Sequence, residues 1–116
     1  MNNKIFFFFS LAMVAFGVYH LIGIFYKIDV SPAVRHGIFF ALSIYGIYGV
    51  LKRPTYFVYL FPILVGQQLY SHGTDFVNMW TTSHRIDFIS LFVILYMPTL
   101  YIFLILDLNK KTDKNQ

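Results

Sequence analysis

The sequence predicts an all-α membrane protein: a four-transmembrane-helix bundle with both ends on the cytoplasmic side and kinks at Pro62 and Pro98. Three observations predict it. Apolar residues make up 58% of the chain and charged residues only 12%, against about a quarter charged in ordinary soluble domains. A chain of 116 residues is too short to hide that much apolar surface in a water-facing globule, because small domains bury the smallest share of their surface. The apolar residues also fall into four runs, each near the length of a bilayer core and separated from the next by polar segments.

The first run, Ile5 to Tyr26, lies between Lys4 and Lys27 and spans about 33 Å as a helix. It is longer than a signal-peptide core and has no Ala-x-Ala cleavage site, so we expect it to be retained as a span. The second run is Pro32 to Leu51. Ser31 reads as its N-cap and Pro32 as its first helical residue, which puts Arg35 and His36 at headgroup depth. Ala33, Gly37 and Ala41 repeat every fourth residue and make a small-residue face on which a second helix packs closely.

After a tight turn at Lys52, Arg53 and Pro54, the third run covers about Thr55 to Ser71, with Gly73 as its terminator. The segment Thr74 to Ser83 then reads as a connection along the interface, anchored by Trp80. The fourth run, about His84 to Leu106, has Ser83 as its cap and Asp87 complementing the positive helix N-terminus. Pro62 and Pro98 each remove a backbone hydrogen bond inside a helix and predict kinks. Residues 1–109 thus form a single four-helix transmembrane domain and 110–116 a frayed, polar cytoplasmic tail.

Orientation follows from the basic residues. Lys4, Lys52, Arg53, Lys110, Lys111 and Lys114 fall on one side, and Lys27, Arg35 and Arg85 on the other. The richer side is expected in the cytoplasm, giving a multi-pass protein of the cell membrane. The same scatter beside apolar runs assigns the net charge of +4 to the membrane and not to nucleic acid. The absence of cysteine excludes disulfide scaffolds and thiol chemistry. No phosphate-binding glycine loop, nucleophile elbow or zinc-protease helix is present. The 14 Phe and 9 Tyr read as lipid-facing packing and an interfacial belt.

The ionisable residues gather on the outer side. His20 lies deep in the first run, flanked at three-residue spacing by Gly17 and Gly23, so it is expected to point into the protein. Ser71-His72-Gly73-Thr74-Asp75 resembles Ser83-His84-Arg85-Ile86-Asp87. In the second stretch His84 and Asp87 are three apart on a helix and so share a face; Gln68 and His72 share one if the third span stays helical to His72. The two halves of the chain read as a weak two-plus-two repeat, each with a histidine, a loop aspartate and an Arg–His neighbour pair.

A ligand site is therefore expected from His20, Arg35, His36, Gln68, His72, Asp75, His84 and Asp87. Within it, His20, His72, His84 and Asp87 are the candidate metal ligands, suited to zinc, copper, manganese or iron, and two histidines suffice for a b-type haem. Proton or anion handling with Arg35 and Arg85 is the other chemistry open to these residues. Three functions follow: binding or transfer of a small polar ligand, metal or proton; a structural or accessory subunit of a larger membrane complex, or a homo-oligomer, docked through Ala33, Gly37 and Ala41; and an enzyme using His84 and Asp87 as an acid–base pair.

Overall fold

The computed structural model describes residues 3–116. Those residues form four helices: α1 (Asn3–Phe25), α2 (Ala33–Lys52), α3 (Thr55–Ser83) and α4 (Phe88–Lys114). Three of them, α1, α2 and α4, are long and apolar enough to cross a membrane. The chain divides into two compact units, one ending at Pro54 and the other starting at Thr55. Each is an antiparallel helical hairpin.

In the first hairpin the buried positions of α1 are Phe6, Ser10, Met13, Gly17 and Gly23. The early ones alternate steps of four and three, the spacing that keeps one seam of a helix against an antiparallel neighbour. The facing positions on α2 are His36, Gly46, Gly49 and Val50. This seam is more polar and smaller than the outside. Phe7, Phe8, Leu11, Val14, Val18 and Ile22 all lie exposed on α1. An apolar exterior around a small-residue seam is the arrangement lipid favours, since helices there gain by close packing and not by hiding apolar surface.

Arg53 closes the far end. It takes a left-handed conformation, φ 49°, and its amide donates to the Gly49 carbonyl at 2.7 Å. Pro54 follows and prevents the helix from resuming. The Arg53 guanidinium sits 4.2 Å over the ring of the fully buried Phe6 and donates to Asn3 Oδ1 at 2.8 Å. The end of α2 is thereby fastened to the start of α1.

At the near end the capping differs from expectation. Pro32, not Ser31, occupies the N-cap of α2, without any side-chain cap. Its carbonyl receives the Arg35 and His36 amides, while the Ser31 amide turns back to Asp29 Oδ1 at 2.8 Å. Such aspartate turns form readily because the short side chain reaches the amide two residues on.

The second hairpin departs further. Gly73 does not terminate α3, and Thr74–Ser83 is helix, not an interfacial connection: α3 is unbroken over 29 residues, about 44 Å at the usual rise. The polar residues are accommodated because Thr74, Thr81, Thr82 and Ser83 each donate a hydroxyl to a carbonyl four residues back, which satisfies the side chain inside a helix. His84 ends the helix in a left-handed conformation, φ 51°, with its amide on the Trp80 carbonyl. Ser83 is therefore the last residue of α3 and not the cap of α4. Asp87 is that cap, its carboxylate accepting the Ser90 amide at 3.1 Å.

Because His72 meets Ser90 near the start of α4, the turns of α3 beyond His72 extend past that start, and residues 84–87 connect the two helices. Along α4 the buried positions Ser90, Val93, Met97, Leu100, Leu104 and Asp107 alternate three and four, meeting Phe57, Val58, Phe61 and Val65 of α3. Pro62 and Pro98 both lie inside their helices. The expected frayed tail is helical as far as Lys114, with Lys111 paired to the buried Asp107 at 2.9 Å.

Candidate functional site

The first hairpin gathers four polar side chains at its loop end. His20 on α1 and His36 on α2 face each other with their Nδ1 atoms 3.0 Å apart. His36 Nε2 lies 2.9 Å from Asp29 Oδ1, and the Tyr19 hydroxyl donates to Asp29 Oδ2 at 2.5 Å. The His20 ring stacks on Phe39 at 5.3 Å, and Tyr19 packs edge-on against both imidazoles. His36 is 2% exposed. That burial depends on Gly23: a Cβ there would stand 2.5 to 2.6 Å from three atoms of the His36 ring. Glycine is needed at this position for close approach and not for any unusual backbone angle.

The electrostatics of Asp29 are set by competition. Burial pushes its carboxyl up, but hydrogen bonds from Tyr19, the Ser31 amide and His36, with the His36 charge, outweigh that and hold it down at about 2. The carboxylate is ionised across the physiological range, so His36 Nε2 carries a hydrogen and donates to it. Two Nδ1 lone pairs cannot face each other at 3.0 Å; one proton must lie between them. Either His20 donates to a neutral His36, or a doubly protonated His36 donates to His20. In the second state the cation is balanced by Asp29, which lessens the cost of a buried charge.

The second hairpin carries a parallel arrangement. Its half-buried His72 on α3 places Nδ1 3.1 Å from Ser90 Oγ on α4, and Ser90 donates that hydroxyl to Asp87 Oδ2 at 2.7 Å. A nucleophilic triad needs the serine on one imidazole nitrogen and the acid on the other. Here the acid touches the serine directly, so the order does not suit nucleophilic catalysis.

The expected site residues thus separate into groups. His20 and His36 come together in the first hairpin. Arg35 lies one residue from His36 but on the outside, 5.8 Å over the Phe39 ring. His72 and Asp87 are linked through Ser90 in the second. Gln68 shares the face of His72 on the continuous α3, as expected of an unbroken helix, but its amide bonds to Gln67 at 2.6 Å. Asp75 is exposed one turn further along. His84 lies outside any helix, edge-on to Trp80 at 5.6 Å. It therefore does not share a helical face with Asp87, and the acid–base pair expected from that spacing is not formed. Among the described residues no group of three or more His, Cys, Asp or Glu is placed to hold a metal ion, the proposed His20, His72, His84 and Asp87 set included.

Three participants were not singled out from the sequence: Asp29, Tyr19 and Ser90. Asp29-x-Ser31-Pro32 has the form of an aspartate turn, and Asp87-x-x-Ser90 that of an N-cap with its third helical residue. Both were legible as local structure, but nothing local says that a histidine from the facing helix joins them. Comparison with protein-family models, with curated proteins and with solved structures gives no match.

Proposed function

We propose that the chain is a multi-pass protein of the cell membrane that binds a proton at the His20–His36–Asp29 relay on the outer face. In this reading all four helices cross the bilayer, with both termini in the cytoplasm. The polarity of α3 after Gly66 keeps it from counting as a span by composition alone; its apolar first half and its antiparallel pairing with the strongly apolar α4 support a crossing. The basic-residue count supports the orientation.

The observation that carries the functional reading is the 3.0 Å contact between the two Nδ1 atoms, with an ionised Asp29 on the far nitrogen of His36. Such a pair holds one exchangeable proton and has a counter-ion in place for a second. Ionisable groups inside a membrane protein are costly and are retained where a pathway or site needs them.

The test is nitrogen NMR of the full chain with labelled histidine in detergent. The expected result is one shared proton coupled to both Nδ1 atoms, lost in Asp29→Asn. Two rings with independent protons, unchanged by that substitution, would overturn the reading. Topology has its own check, helped by the absence of native cysteine. In intact cells an impermeant maleimide should label Lys27→Cys and spare Lys52→Cys; the reverse pattern refutes the orientation.

A second reading is a structural or accessory subunit, or a homo-oligomer. Its specific support is the face of α2 opposite the seam. Ala33 and Ala41 are exposed, and a Cβ added at Gly37 would meet nothing within 4 Å. Such a face suits close approach of another helix. Gly37→Leu should then abolish co-purification or self-association while leaving the hairpin folded.

A further inference from the structure

The second hairpin has helix to spare at one end. The contact between His72 and Ser90 sets its register. Most of the stretch from Gly73 to Ser83, about 16 Å of helix, therefore extends past the start of α4 at Phe88. A bilayer's hydrocarbon core is about 30 Å thick, and about 40 to 45 Å with its headgroup layers. At about 44 Å, α3 is long enough to cross the core and end among headgroups. Its last turns have the mixed character of that layer. Phe76, Val77 and Trp80 share one side of the helix, and Thr74, Asn78, Thr81 and Thr82 the other. Val77 and Trp80 are half-exposed. The three threonines give their hydroxyl hydrogens to carbonyls of their own helix, which lowers the cost of placing them where water is scarce. Just past the helix end stands the exposed Arg85, whose guanidinium matches a phosphate in charge and geometry. The exposed Asp75 lies roughly two turns below that end.

The geometry points to the last turns of α3 as a membrane anchor: they stand in the phospholipid headgroup layer, with the Trp80 ring at its boundary with the acyl chains and the Arg85 guanidinium on lipid phosphate. The inference rests on the membrane reading above. Indole suits this boundary because its body is apolar while its N–H needs an acceptor. Hydrocarbon alone would leave Asn78, Asp75 and Arg85 unsolvated, and water alone would leave Val77, Trp80 and Ile86 exposed. The anchor holds the second hairpin at one depth. Sinking it draws Asp75 and Arg85 into the core, and raising it lifts the exposed Phe88 and Ile89 of α4 out of the core.

Trp80 is the only tryptophan of the chain, so its fluorescence reports this segment alone. The full chain is reconstituted in phosphatidylcholine vesicles and floated on a density gradient. The expected result is co-flotation, with emission to the blue of tryptophan in water. Phosphatidylcholine brominated near the headgroup should quench Trp80 more strongly than the same lipid brominated near the chain end. Comparing two lipids on one protein cancels any quenching by the His84 ring, edge-on at 5.6 Å. Arg85→Glu should weaken the shallow quenching, while Lys110→Glu at the opposite end of α4 should leave it unchanged. With the chain still floating, three results overturn the anchor: a water-like emission, stronger quenching by the deep bromines, or a blue-shifted emission that neither lipid quenches, as a second copy covering Trp80 would give. Shallow quenching in Arg85→Glu equal to wild type overturns the phosphate contact. A chain that does not float with the vesicles overturns the membrane reading as well.

Discussion

The two hairpins use the same parts differently. Each has a histidine on its first helix, a partner on its second and an aspartate in the loop. In the first, the aspartate precedes the helix start: Pro32 occupies the N-cap of α2, so Asp29 is not required there and its carboxylate reaches His36 directly. In the second, Asp87 is itself the N-cap. Its two oxygens are engaged by the Ser90 amide and hydroxyl, and the imidazole is reached only through the serine. Whether a loop aspartate acts as a counter-ion or as a cap thus depends on a few residues of register. The hairpins also close differently. The first is fastened at its far end by Arg53 against Phe6 and Asn3, while in the second α3 overshoots the start of α4.

Substitutions can break that contrast in graded steps. The largest effect is expected from Gly23→Ala. The new methyl would overlap the His36 ring, and a buried ring between two helices has little room to yield. A loss of about 1 to 3 kcal/mol is expected from such overpacking, measured by thermal unfolding in detergent, together with loss of the shared proton. Gly37→Ala, which meets open space inside α2, is the control: it should keep the shared proton and lose no stability, with any change a small gain.

Next comes the pH dependence of the first hairpin. The Asp29 carboxyl is held at about 2 in the folded chain, below the ordinary value near 4. The unfolded chain therefore binds the proton first, and stability rises with pH across that interval. The contribution of Asp29 should be fully present above about pH 4 and lost as the pH falls towards 2. Asp29→Asn should show a flatter melting profile over the same window. An equal acid sensitivity in the variant would place the effect elsewhere.

The second hairpin should respond in the opposite direction. Gly73→Ala lies mid-helix with open space around the added methyl and should stabilise by about 0.5 to 1 kcal/mol. Destabilisation would mean that α3 breaks at Gly73 after all. A comparable or smaller gain, about 0.5 to 1 kcal/mol, is expected for His84→Gly. It relieves a left-handed conformation that L residues adopt at a cost, partly offset by the greater freedom of glycine in the unfolded chain. A loss of stability on His84→Gly would show that the His84 side chain contributes more than its contact with Trp80.

Much of the local structure was legible because it depends on neighbours in the chain. The first two helices fall within a few residues of their expected ends, since apolar runs bounded by Lys4, Lys27 and Lys52 leave little choice. The error at Gly73 arose because glycine is a terminator only where the backbone turns left-handed. Here the threonine hydroxyls bond back to the helix and α3 continues to His84, which makes the turn without being glycine. Gly17 and Gly23 correctly marked the inner face of α1 around His20. Hydrophobicity was no guide to that face, because nearly all of α1 is apolar.

By itself the sequence determined an all-helical chain, with apolar segments of membrane-crossing length and ionisable residues collected near the helix connections. Composition and run length decide these, and both are properties of the chain alone. Only the tertiary structure decided which histidine meets which. His20 and His36 are 16 residues apart and His72 and Ser90 are 18, and their meeting depends on how far each helix runs before it turns. An overshoot of a few residues shifts the register between two antiparallel helices, and with it the partner each side chain finds.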